Sequence, residues 1–261
     1  MAQKGARLGQ HFLKNPHYAK ALVVAVGAGR GQTILEIGPG KGALTKEILA
    51  SGAHVIAIEK DEMLAKNLPN IFPNESANKQ LEIITGDVRD FDPRKYGLSS
   101  GSFSLAANIP YYITGEIIRT FLESETQPKN IALLIQKEVA DRIISDRESI
   151  LSISVKAYGT PKIVARVSRG NFSPPPSVDS AIILISDISK KNFTDVSERD
   201  FFRVVKTGFS SKRKILAGNL SGVFGKEKVS HAFTKLDLDQ KIRAESVPVS
   251  SWFTLARELS A

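Results

Sequence analysis

The stretch ILEIGPGKGALT, residues 34–45, runs from a nearly continuous apolar segment through Gly38, Gly40 and Gly42 into a helix-like pattern. An apolar run of that length is the signature of a strand covered on both faces. Three glycines in five residues let the backbone turn sharply and approach a ligand without Cβ obstruction. Strand, glycine turn and helix in that order open a doubly wound α/β sheet. The spacing is G-x-G-x-G, which tilts away from the G-x-G-x-x-G dinucleotide fingerprint. Taken alone, such a turn serves NAD, FAD and S-adenosylmethionine alike.

The pattern continues outward. HVIAIE (54–59), LEIITGD (81–87), SLAANI (104–109) and IALLIQ (131–136) are further buried-strand runs. Between the runs lie GALTKEILASG, DEMLAKNLPNIF and TGEIIRTFLES, with apolar residues at helical spacing. This alternation predicts a mostly parallel sheet with helices on both sides. KIVARVS (162–168) and VDSAIILIS (178–186), joined by the turn-rich RGNFSPPPS, predict an antiparallel hairpin at its edge. After Ser186 the chain turns polar and then helical and strand-poor. A boundary at 187–197 is expected, with one domain over residues 1–186 and a small all-helical domain over 187–261.

With 42% hydrophobic residues, the 261-residue chain can bury a sizeable core. It has no cysteine, which excludes disulfides and cysteine-ligated metals. His11, His17, His54 and His231 show no metal-ligand spacing, so no metal is expected. There is no apolar run of membrane-spanning length and no secretory signal pattern; no membrane association and a cytoplasmic location are expected. The net charge is +9. The first twenty residues carry Lys4, Arg7, Lys14 and Lys20 without an acid, and residues 190–261 hold 14 basic against 8 acidic side chains. Excess charge gathered at two ends points to a polyanionic partner, with nucleic acid ahead of a generic basic surface.

Acceptors gather where the strands end. A carboxylate at Glu59 can accept both hydroxyls of a ribose, and Asp87 can accept from the exocyclic amine of an adenine, or else cap the next segment. NIPYYIT (108–114) follows strand four. An exocyclic amine on a nucleobase is a poor nucleophile because its lone pair is delocalised into the ring. The Asn108 side-chain oxygen and the Ile109 carbonyl can accept its hydrogens, Pro110 fixes the direction of the chain, and Tyr111 can stack on the base. The alternative is a proline turn whose tyrosines pack on the core.

In order, LGQHFL, EIGPGKGALT, GDVRDFD, NIPYYIT, IQKEVADRI and FSPPPSVDSAI resemble the small-subunit ribosomal RNA adenine dimethyltransferases of the KsgA/RsmA type. The resemblance runs from about Leu8 to the end of the chain. It implies a Rossmann-like class I methyltransferase with a seven-stranded, mostly parallel sheet and a small helical RNA-binding domain. It implies that His11, Leu13, Gly38, Gly40, Glu59, Asp87 and Asn108 hold S-adenosylmethionine. Asn108, Pro110 and Tyr111 would hold the target adenine, with Phe172 covering its other face. The implied reaction dimethylates two adjacent adenines in the 3′-terminal hairpin loop of small-subunit rRNA, by a monomer acting on an immature subunit. ISDRESILSISVK (144–156) departs from the family pattern: LSIS is kept, but the preceding tyrosine and glycine are absent.

Lys212, Arg213 and Lys214 open a helical segment of the tail, and with Lys4, Arg7 and Lys14 are expected to contact RNA phosphates. Two rival readings are a large-subunit rRNA dimethylase of the macrolide-resistance (Erm) type and a non-catalytic assembly or transcription factor on the same fold. A dehydrogenase is disfavoured, since no hydride-transfer site is apparent.

Overall fold

The computed structural model describes residues 11–211 and 213–260. Lys4, Arg7 and Lys212, expected to contact RNA phosphates, lie outside the described residues. The chain forms two compact units: residues 1–141 with 159–188, and residues 142–158 with 189–261. The segment 142–158, which lies before the linker anticipated at 187–197, groups with the second unit.

The first unit carries β1 (Phe12–Leu13), α1 (Pro16–Val26), β2 (Thr33–Ile37), α2 (Ala43–Ala50), β3 (His54–Glu59), α3 (Glu62–Ile71), α4 (Pro73–Ala77) and β4 (Leu81–Thr85). It continues through β5 (Phe103–Asn108), α5 (Thr114–Glu123) and β6 (Ile131–Gln136), and α6 (Lys137–Ile144) then crosses into the second unit. α7 (Ile150–Tyr158) belongs to the second unit, and β7 (Thr160–Val167), β8 (Phe172–Ser173) and β9 (Ser180–Ser186) return to the first.

Seven strands make one sheet in the order β4-β3-β2-β5-β6-β9-β7. The pairs among β4, β3, β2, β5 and β6 are parallel, and β9 runs antiparallel to β6 and to the edge strand β7. Ile34, Leu35, Leu105, Ala106, Ala107 and Ile131 to Ile135 are fully buried, as a doubly covered sheet requires. β7 instead alternates exposed and half-buried positions, the pattern of an edge. Strand order reverses between β2 and β5, the switch point at whose carboxyl end such sheets form a crevice. Ile37 pairs with Ala107, so Gly38 and Asn108 follow on neighbouring strands at the carboxyl end of the sheet.

A second, two-stranded sheet pairs β1 with β8, setting Phe12 opposite Ser173 and Leu13 opposite Phe172. It ties the segment before α1 to the turn before β9. Asn15 starts α1 by accepting from the His17 N–H at 3.0 Å, and Gly27 ends it in the left-handed conformation.

The second unit holds α7, α8 (Glu198–Gly208), α9 (Leu216–Phe224), α10 (Lys226–Lys235) and α11 (Val249–Ser260). Its core is aromatic: Phe201 stacks on Phe253 at 4.2 Å, and the fully buried Trp252 stacks on Phe209. Within the 144–156 segment, Lys156 pairs with the buried Glu148 at 2.7 Å, and Ser152 donates to the same carboxylate.

Candidate active site

Two cavities open at the carboxyl end of the sheet and share Gly38, Ile109 and Pro110 as common wall. The first is lined by Glu59, Lys60, Asp87, Val88, Arg89 and Tyr112, among others. The second is lined by His11, Leu13, Lys14, Glu36, Gly40, Asn108, Tyr111 and Ser173, among others.

The glycine turn owes its residue type to backbone conformation. Gly38, Gly40 and Gly42 have φ of +66°, +58° and +80°, where a side chain is strained. Space differs among them. A Cβ at Gly42 would lie 2.6 Å from the Phe72 ring and one at Gly40 3.0 Å from Phe12, whereas one at Gly38 would meet nothing within 4 Å. Gly42 therefore serves packing, and Gly38 faces the opening.

Glu59 is buried at the end of β3. Its Oε2 accepts from the Gly40 N–H and its Oε1 from the Asp61 N–H, both at 2.9 Å. The carboxylate is thus locked to the glycine turn while each oxygen keeps a lone pair to accept a hydroxyl. Asp87 does two things at once. It caps the next turn by accepting from the Arg89 N–H at 3.0 Å, and it pairs with the Arg89 guanidinium and with Lys60 Nζ at 2.9 Å. The Arg89 guanidinium, with Lys60, holds its carboxyl well below the usual carboxylate range.

At the other side of the crevice Asn108 Nδ2 donates to the His11 carbonyl oxygen at 3.1 Å. That bond orients the amide, leaving Oδ1 as its acceptor edge. The His11 ring is held by Pro174 O at 2.8 Å and stacks on Tyr111 with centroids 5.9 Å apart. Tyr111 OH and Ser180 Oγ are 2.7 Å apart, and burial raises the phenol above its ordinary pKa. Tyr111 is therefore a neutral, anchored ring and not a base. Tyr112 is 73% exposed at the rim of the first cavity.

Of the residues anticipated from the sequence, His11, Leu13, Lys14, Gly38, Gly40, Asn108, Pro110 and Tyr111 line the second cavity, and Gly38, Glu59, Asp87 and Pro110 line the first. Phe172 does not join them. Its ring is 1% exposed in the core beside Leu13, because pairing with β1 turns it inward, and its neighbour Ser173 reaches the cavity instead. Covering a base would require that ring to leave the core. Arg213 and Lys214 are exposed in the second unit. Sequence reasoning passed over Glu36, Lys60, Arg89 and Ser180. A charged residue inside the apolar run ILEIG was the available signal for Glu36; the other three are recognisable only from their partners.

Comparisons with known proteins identify the family. The family described as ribosomal RNA adenine dimethylase matches residues 1–261. The chain belongs to that family. This dimethylase is 34% identical to the "Ribosomal RNA small subunit methyltransferase A" of Dehalococcoides mccartyi (strain 195), over 96% of this chain and 86% of the relative. It is 33% identical to the protein of that name from Thermosynechococcus vestitus, over 99% and 98%. Among solved structures, a dimethyladenosine transferase from Plasmodium falciparum superposes with a TM-score of 0.79 at 26% identity, covering 94% of this chain and 96% of that one. The 23S rRNA methyltransferase ErmE superposes at 0.74 with 22% identity, covering 96% and 100%, and shares the fold. The dimethylase is thus a Rossmann-like class I methyltransferase with a helical C-terminal region, and its methyl donor is S-adenosylmethionine. The site suits that donor: a buried acceptor at Glu59, a second acceptor at Asp87, and open space over Gly38 where the two cavities meet. Among the described residues no helix is long and apolar enough to cross a membrane.

Proposed function

We propose that this dimethylase methylates the exocyclic amines of two adjacent adenines in the 3′-terminal hairpin loop of small-subunit rRNA, acting as a cytoplasmic monomer on an immature small subunit. The bacterial relatives, named as methyltransferases of small-subunit ribosomal RNA, support the choice of subunit. The observation that carries the chemistry is the orientation of Asn108: its amide nitrogen is committed to His11, which leaves Oδ1 as the acceptor edge of a residue that lines the second cavity with Pro110 and Tyr111.

Bound S-adenosylmethionine supplies an electrophilic methyl on a sulfonium sulfur. Glu59 and Asp87 would hold its adenosine, and His11, Leu13, Gly38 and Gly40 would line the rest of its site. Asn108 Oδ1 and the Ile109 carbonyl accept the hydrogens of the adenine amine, so that the nitrogen lone pair points along the line of transfer. Tyr111, fixed through Ser180, gives the purine a flat support worth about 1–3 kcal/mol. Alignment of this kind contributes on the order of 7–11 kcal/mol to lowering a bimolecular barrier. No general base is required of Tyr111, since a methylated amine would lose its acidic proton to solvent. A hairpin loop lowers the cost of unstacking the target base. Lys14, Arg213 and Lys214, with Lys4, Arg7 and Lys212, serve the phosphates.

Incubation with labelled methyl donor and immature small subunits from a strain lacking the modification, followed by nucleoside analysis, tests the proposal. Label in dimethyladenosine of the small-subunit RNA is expected. Label confined to large-subunit RNA would assign the macrolide-resistance reaction instead, and RNA binding without label would assign an assembly factor.

A further inference from the structure

Asp87 is the acceptor proposed for the exocyclic amine of the donor's adenine, yet its carboxylate is already engaged within the protein. Oδ1 accepts from the Arg89 N–H at 3.0 Å and from Arg89 Nε at 2.9 Å. Oδ2 accepts from Arg89 Nη2, and from Lys60 Nζ at 2.9 Å. A carboxylate offers about four lone-pair positions, and these donors take them all. An amine can reach Asp87 only by displacing one of them. The Arg89 N–H belongs to the backbone of the capped turn and cannot withdraw. Lys60 holds one oxygen by a single contact. The Arg89 guanidinium grips both oxygens as a fork, and its side chain, 53% exposed, is free to swing outward.

A second carboxylate stands ready to receive it. Glu116, exposed on α5, lines the same cavity as Asp87 and Arg89, and its charge acts on the guanidinium together with that of Asp90. We infer that the Arg89 side chain is a latch on the adenine seat: it occupies Asp87 and passes to Glu116 when the amine of the donor takes its place. No covalent bond changes in this exchange and no proton is transferred. One guanidinium–carboxylate pair is traded for another, and the freed Asp87 oxygens accept the amine. Opening the latch lowers the apparent affinity for the donor, because only molecules with Asp87 released can seat the adenine fully. The inference rests on the proposed seating of the adenosine at Asp87 and not on which RNA is methylated.

Calorimetric titration of the full chain reads the latch without any turnover. The probe is S-adenosylhomocysteine, the thioether product, which carries no net charge at neutral pH, so that deleting a cation from the cavity does not by itself attract it. Arg89→Leu keeps the backbone N–H that caps the turn and removes the fork. It should bind the probe about two- to fivefold more tightly than wild type, the scale of an exposed ion pair. The inosine analogue of the probe, with a carbonyl oxygen in place of the amine, should gain nothing from the same substitution, since that oxygen has no hydrogen to give Asp87. Glu116→Gln removes the receiving carboxylate and should weaken binding of the probe by about two- to fivefold. This second, exposed variant keeps the test available if Arg89→Leu folds poorly. Equal or weaker binding by Arg89→Leu overturns the inference, as does an equal gain with the inosine analogue. Unchanged binding by Glu116→Gln overturns the transfer to that residue. An Asp87→Asn variant that binds the probe as tightly as wild type overturns instead the seating on which the inference stands.

Discussion

Asn108 Nδ2 donates to the main-chain carbonyl of His11 across 3.1 Å, although 97 residues separate them in the chain. The segment before α1 thereby engages one edge of the amide and leaves Oδ1 as the other. Replacing Asn108 by Ala removes both the acceptor and this tether. Methylation should fall by at least about 10²-fold in kcat while RNA affinity stays within about twofold, since base alignment and phosphate contact are separate contributions. Single-turnover methylation beside a filter-binding titration checks both, and unimpaired turnover would remove Asn108 from its role.

The glycines of the turn should separate by function. Gly42→Ala strains a φ of +80° and drives a methyl towards Phe72 at 2.6 Å, so thermal unfolding should show a loss of about 2–5 kcal/mol. Gly38→Ala meets no neighbour and should cost stability about 1–2 kcal/mol, the backbone strain alone. Its methyl enters the donor's space, and donor affinity should drop about tenfold or more, roughly 1.4 kcal/mol.

Tyr111 anchors through its hydroxyl and supports through its ring. Tyr111→Phe loses the contact with Ser180, about 0.5–1.5 kcal/mol, and should keep most of its activity. Tyr111→Ala loses the platform, and kcat/KM for RNA should fall by roughly 10- to 100-fold, in line with about 1–3 kcal/mol of stacking. Equal losses in the two variants would mean that the hydroxyl, not the ring, matters.

Two carboxyls shape the dependence of stability on pH with opposite signs. Asp87 is held below its unfolded value by Arg89 and Lys60, so its pairing stabilises the fold above about pH 4 and is lost as the pH falls. Glu36 is raised from 4.5 to about 8, so the protonated acid suits the unliganded fold, and stability declines as the pH climbs between those values. Urea midpoints measured from pH 3 to 9 should show Asp87→Asn flattening the acid limb and Glu36→Gln flattening the slope from about pH 5 to 8.

The segment 144–156 carries a buried ion pair, Lys156 with Glu148, at 21% and 6% side-chain exposure. Lys156→Ala strands the carboxylate and should destabilise by about 3–5 kcal/mol, while the double variant Lys156→Met with Glu148→Gln should recover most of it. A denaturation series on the three proteins measures this coupling.

The sequence by itself determined the sheet and its ligand edge. Continuous apolar runs such as IALLIQ can be stable only when covered on both faces, and three glycines after the first run mark the turn where backbone must take positive φ. The placement of Glu59, Asp87 and Asn108 at strand ends follows from those same runs. The tertiary structure alone decided which of these groups are already engaged. Arg89 claims Asp87 and His11 claims one side of Asn108. The short β1–β8 pairing turns Phe172 into the core and brings Ser173 to the cavity. The tertiary structure also gave Glu36 its character, since a carboxyl on a strand is ordinary until neighbours remove its water and leave Oε2 without a donor. Periodicity reports burial along one element, whereas hydrogen-bond partners and desolvation come from residues distant in the chain.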